Sequence, residues 1–154
     1  MIVVNTTYQL APWADALFAL DVDWWKTYIK DVQINFEGKL LSSNSILNQQ
    51  SVCRVQDAAF YGNSGAAAIA AAFSGGGAKR VVMLGYDCQR TNDKAHWHGD
   101  HPKHLGNAGR MELWHEGFER IAKRYSHCEI VNASRETALE CFKRMSLEDA
   151  LWQT

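Results

Sequence analysis

The chain is short of nearly everything that would mark a specialised environment. It holds two prolines in 154 residues, and no proline-rich or low-complexity segment interrupts it. Six Trp, five Tyr and six Phe set it apart from disordered chains, which are poor in aromatics. The formal net charge is −1, so the overall balance predicts neither a nucleic-acid partner nor an anionic membrane surface. No stretch approaches the ~18 consecutive apolar residues of a spanning helix. The opening Met1-Ile2-Val3-Val4-Asn5 lacks the basic segment and long apolar run of a secretion signal, and a cytoplasmic location is expected. Cys53, Cys88, Cys128 and Cys141 form no CxxC pair. Free buried thiols of a reducing compartment are the leading reading, with structural zinc and disulfides as alternatives.

What is present is a large apolar fraction, 47%, enough for the core of one domain spanning 1–154. Ile2-Val3-Val4 predicts a short buried strand, and Ala16 to Leu20 a second apolar run ending at Asp21. Asp23 to Lys30 reads as a helix facing Trp24, Tyr28 and Trp25 inward, and Lys39 to Ser43 as a strand. Asn63 or Ser64 is a natural N-cap for the helix formers Ala66 to Phe73, and Gly75 to Gly77 end that helix. Arg80 to Gly85 is the strongest strand, β-branched and uninterrupted, and is expected at the sheet centre with both faces buried. Met111, Trp114, Phe118, Ile121, Ala122 and Tyr125 fall on one helical stripe. Cys128 to Asn132 predicts another strand, Arg135 to Lys143 a short helix, and Ser146-Leu147-Glu148-Asp149 a capping box. Alternation of strands and helices predicts an α/β fold: a single three-layer Rossmann-like domain with a mostly parallel sheet.

Four predicted strands end on polar residues: Asn5, Asp21, Asp87 and Asn132. Ligands of open parallel sheets bind beyond the carboxyl ends of the strands, so these side chains are candidates for one cleft; ordinary turn and cap residues are the alternative. Asn63-Ser64-Gly65 opens a helix, whose N-terminus attracts phosphate or carboxylate. His96-Trp97-His98-Gly99-Asp100-His101 concentrates imidazoles in the loop after the strongest strand, suited to general-base chemistry or metal binding. Its HxHxDH spelling resembles the zinc motif of metallo-β-lactamase-type hydrolases, and a simpler metal site from His96, His98, Asp100 and His101 is also open.

The run from Asn63-Ser64-Gly65 through the Ala-rich helix and Gly75 to Gly77 to Val81-Val82-Met83-Leu84-Gly85-Tyr86-Asp87 resembles the MptE-like (6-hydroxymethylpterin diphosphokinase-like) family. It is also similar to the Campylobacter-type sialyltransferases, which share that nucleotide-binding core. Asn5-Thr6-Thr7-Tyr8, Ala11-Pro12-Trp13-Ala14-Asp15, Asp21 with Trp24-Trp25, and the histidine segment look most like phage and prophage proteins. The resemblance implies a nucleotide or nucleotide-sugar ligand in the cytoplasm of a bacterial host. It places Asn5, Asp21, Asn63, Ser64, Gly65, Gly85, Asn132 and Ser134 around the nucleotide. Asp87, His96, His98 and His101 become catalytic, with His96 matching the base or the three histidines holding an auxiliary metal; whether a divalent metal, Mg or Zn, is used stays open. The family's usual first strand and Gly-Pro-Ser loop have no counterpart here. That implies a truncated protein, an alternative start or a reduced relative, and an exposed sheet edge favouring a homo-oligomer.

Three functions follow as expectations. The first is a phage or prophage transferase relative that binds a nucleotide or nucleotide sugar. The second is a non-catalytic phage protein, acting in morphogenesis or on a host protein, that keeps the fold. The third is a metal-dependent hydrolase built on the histidine segment.

Overall fold

Among the described residues of the computed structural model every strand pair is parallel, and helices are interspersed with the strands along the chain, which makes the fold α/β. The structure describes residues 1–44, 51–58, 61–90, 102–105 and 111–152. Two compact units divide the chain, Met1–Gly77 and Ala78–Thr154.

The first unit carries β1 (Ile2–Val4), β2 (Ala16–Phe18), β3 (Lys39–Ser42) and β4 (Cys53–Arg54), paired in that order. Helix α1 (Val22–Asn35) follows β2, and α2 (Ser64–Ser74) follows β4. The pleat turns Ile2, Val4 and Phe18 to one face, where they pack with Ala67, Ala68 and Ala71 of α2. Alanine serves this contact twice over, because it favours the helix and lets its backbone approach the sheet closely. Val3 and Leu17 alternate to the other face and are buried there. Helix α1 runs farther than Asp23 to Lys30, since Ile29 and Val32 continue its buried stripe. Trp24 and Trp25 are buried and Tyr28 is half-buried. The Trp25 indole N–H donates to the Ala19 carbonyl at 3.0 Å, fixing the start of α1 to the exit of β2.

The second unit carries β5 (Arg80–Met83), α3 (Glu112–Arg124), β6 (Glu129–Asn132), β7 (Lys143–Arg144) and α4 (Leu147–Trp152). The strand order is β5-β6-β7. In this sheet the middle strand is therefore β6, which corrects the expectation for Arg80 to Gly85. Arg80, Val81 and Val82 are half-buried, and Leu84, expected in the strand, is 54% exposed beyond its end. The apolar run marked a strand correctly, but β6, with Ile130, Val131 and Asn132 buried, holds the more enclosed place.

No helix forms over Arg135 to Lys143; the segment is irregular and ends in β7. Asn132 and Thr137 give the backbone other hydrogen bonds: Ser134 N–H donates to Asn132 Oδ1 at 3.0 Å, and Leu139 N–H to Thr137 Oγ1 at 3.1 Å. Such side-chain acceptors compete with a helical ladder. The stripe on α3 stands, with Phe118, Ile121 and Tyr125 buried. Ser146 caps α4, accepting from Asp149 N–H at 3.0 Å. No helix among the described residues is long and apolar enough to cross a membrane.

Candidate functional site

The first group of polar side chains lies at the carboxyl ends of β1 and β2. Asn63 caps α2, its Oδ1 accepting from Ala66 N–H at 2.8 Å. Ser64, the first residue of α2, is buried, and its Oγ accepts from Leu20 N–H at 3.2 Å. That bond ties the helix start to the chain leaving β2. Gly65 is the next helical residue. Asn5, directly after β1, has φ 50°, the left-handed region that asparagine enters more readily than most residues. Its Oδ1 is buried and has no hydrogen-bond partner among the described residues. Asp21 stands exposed at the N-cap position of α1 without capping it through its side chain. The first unit thus gathers Asn5, Asp21, Asn63, Ser64 and Gly65 at the strand-exit end of its sheet.

The second group laces the exits of β5 and β6. Gly85 has φ 72°, and a Cβ there would meet nothing within 4 Å, so the backbone conformation calls for glycine. Tyr86 N–H donates to Ser134 Oγ at 2.7 Å, and Thr137 Oγ1 donates to the Tyr86 carbonyl at 2.6 Å. Asn132, fully buried, donates from Nδ2 to Thr137 Oγ1 at 3.1 Å. The Asp87 carbonyl accepts from Ala138 N–H at 2.8 Å, and Arg144 donates to the Ser134 carbonyl at 2.8 Å. Asn132 and Ser134 therefore hold main chain together, while Asp87 is half-buried beside them. His96, His98, Asp100 and His101 lie outside the described residues.

Sequence reasoning missed a third group. An open cavity of about 250 Å³ is lined by His115, Glu119, Ala138, Leu139, Glu140 and Cys141. Successive turns of α3 bring His115 and Glu119 to one face, a spacing visible in the sequence. The approach of 138–141 was not visible, because it depends on the hydrogen bonds to Tyr86 and Asp87. His115 Nε2 lies 3.4 Å from the Cys88 carbonyl. Burial pushes the Cys88 thiol up to about 11, and the charge of Cys141 adds to the rise. Burial also raises Cys141, with the Glu119 carboxylate contributing. Both are therefore protonated at neutral pH. All four cysteines are free thiols. Among the described residues no three His, Cys, Asp or Glu side chains are grouped to hold a metal ion.

No protein-family model matches the chain, and no curated protein or solved structure is significantly similar to it.

Proposed function

We propose that the protein is a Rossmann-like nucleotide- or nucleotide-sugar-binding protein, a phage or prophage relative of the glycosyl- and diphospho-transferases. The observation that carries this reading is the buried Oδ1 of Asn5 at the end of β1, unpaired among the described residues, beside a sheet whose neighbouring strand exit is tied to the start of α2. A buried acceptor without a partner costs free energy that a ligand N–H or hydroxyl recovers. A helix start brings a positive dipole end to the same edge, which suits phosphate. Open parallel sheets take their ligands at that edge. In this reading Asn5 receives a donor from the nucleoside, and Ser64 and Gly65 lie against the phosphates. Asp87 and the histidines at 96, 98 and 101 serve catalysis, His96 removing the proton of an acceptor hydroxyl. A base in that role is worth about 10²–10⁴-fold in rate.

The test is a thermal-shift panel of CMP, ADP, GTP and UDP-sugars, each with and without Mg²⁺. A ligand that binds only the folded state raises its stability, by about 2.7 kcal/mol at a hundred times Kd. The expected result is a rise for at least one nucleotide class that Asn5→Gly reduces, since glycine keeps the positive φ and deletes the amide. No shift with any nucleotide at millimolar concentration overturns the reading.

A further inference from the structure

The cavity beside α3 is lined by none of the residues proposed above to hold the nucleotide. Cys141 is part of its wall together with His115. The same imidazole reaches the Cys88 carbonyl at 3.4 Å. The two cysteine-bearing segments are also bound to each other: Ala138 N–H donates to the Asp87 carbonyl at 2.8 Å, one residue before Cys88 and three before Cys141. Cys88, through its carbonyl, and Cys141, through the shared cavity wall, thus both border His115, at a cavity open to small molecules. Cys53 and Cys128 are not part of this cluster. Cys53 lies in β4 of the first unit, and Cys128 precedes β6.

We propose that Cys88 and Cys141 are a redox-active dithiol that closes to a reversible intramolecular disulfide by exchange with a low-molecular-weight disulfide entering this cavity. Cys141 reacts first, because its residue lines the cavity. His115 takes the proton from the Cys141 thiol, and the sulfur attacks one sulfur of the small disulfide. An S–S bond forms to the protein as the small molecule's own S–S bond breaks, and the first small thiolate leaves with a proton. Cys88 then loses its proton and attacks the Cys141 sulfur, forming the internal bond and expelling the second small thiol. Two protein thiols are oxidised and one small disulfide is reduced to two thiols. Both protons end on the released thiols. The protonated resting state of the cysteines makes a neighbouring base important, because the thiolate is the attacking form.

The experiment uses the whole chain carrying Cys53→Ser and Cys128→Ser, so that only the proposed pair remains. The folded protein is incubated with oxidised glutathione, quenched with iodoacetamide, and mapped by mass spectrometry without reduction. The expected product is a linked peptide pair containing Cys88 and Cys141, short of two hydrogens and restored by dithiothreitol. Adding Cys88→Ser should leave Cys141 as a persistent glutathione mixed disulfide, and His115→Gln should slow formation of the link without changing its identity. Stable glutathionylation of Cys141 while Cys88 stays alkylatable overturns the proposal, as does full alkylation of both. The linked peptide from the parent protein decides the matter even if Cys88→Ser fails to fold.

Discussion

Ser64 Oγ receives the Leu20 N–H at 3.2 Å, spanning 44 positions of sequence to hold the first residue of α2 against the chain leaving β2. The helix is thus fixed at its start by a tertiary bond and, one residue earlier, by the local cap of Asn63. Together they place the start of α2 at the sheet edge where the nucleotide is proposed.

Ser64→Ala removes the acceptor for Leu20 and leaves that N–H without its partner. Loss of such a bond costs about 1–3 kcal/mol. Urea unfolding should show the loss in the midpoint with little change in slope. A midpoint equal to that of the parent would mean that water takes over the bond.

Gly38→Ala should be more disruptive than its size suggests. A Cβ at Gly38 would lie 2.4 Å from the Ala14 carbonyl oxygen and 2.8 Å from the Asp15 carbonyl carbon, both rigid main chain. The backbone must move where Lys39 N–H donates to the Asp15 carbonyl at 2.9 Å, at the start of the β2–β3 pairing. Crowding of this kind costs about 1–3 kcal/mol, measurable by thermal or urea unfolding. A fully stable variant would contradict the close approach.

Thr137→Val preserves shape and deletes the hydroxyl shared by three partners: the Tyr86 carbonyl, Asn132 Nδ2 and Leu139 N–H. Stability should fall by roughly 2–4 kcal/mol, because several partly buried polar groups lose their partner together. Amide exchange at Leu139 should accelerate in the same variant. Unchanged exchange there would argue against the hydroxyl as an organising centre.

Alkaline pH should weaken the fold through Cys88. Its folded pKa is raised to about 11, above an ordinary thiol, so the native state holds its proton longer than the unfolded chain. This contribution is complete below the unfolded thiol pKa of ~8.5, and it is lost as pH rises toward about 11. Tyr8 and Tyr86 are raised as well, by burial and for Tyr8 also by its bond to Asp31. The informative quantity is therefore the difference between parent and Cys88→Ala across pH 8 to about 11. The parent should lose stability more steeply, and parallel curves would remove Cys88 as a cause.

Local rules were enough for several elements. Ile2-Val3-Val4 makes a strand because an apolar β-branched run favours one, and Asn63 begins a helix because its carboxamide satisfies the Ala66 N–H. The α3 stripe and the Ser146 cap followed from spacing alone. The place of β5 did not, since a run of apolar residues shows burial propensity and not which strand will lie on either side. The segment after Asn132 carried enough helix formers to suggest a helix, yet its hydrogen bonds go to Tyr86, Asp87 and its own Asn132 and Thr137 side chains. The convergence of Cys88, His115 and Cys141 was equally invisible, because each lies in a different segment. By itself the sequence determined the α/β alternation, the helix caps and the apolar faces, all set by neighbours within a few residues. Tertiary structure alone decided strand order, the buried Asn5 oxygen left unpaired among the described residues, and the cavity between His115 and Cys141, because each depends on contacts between segments distant along the chain.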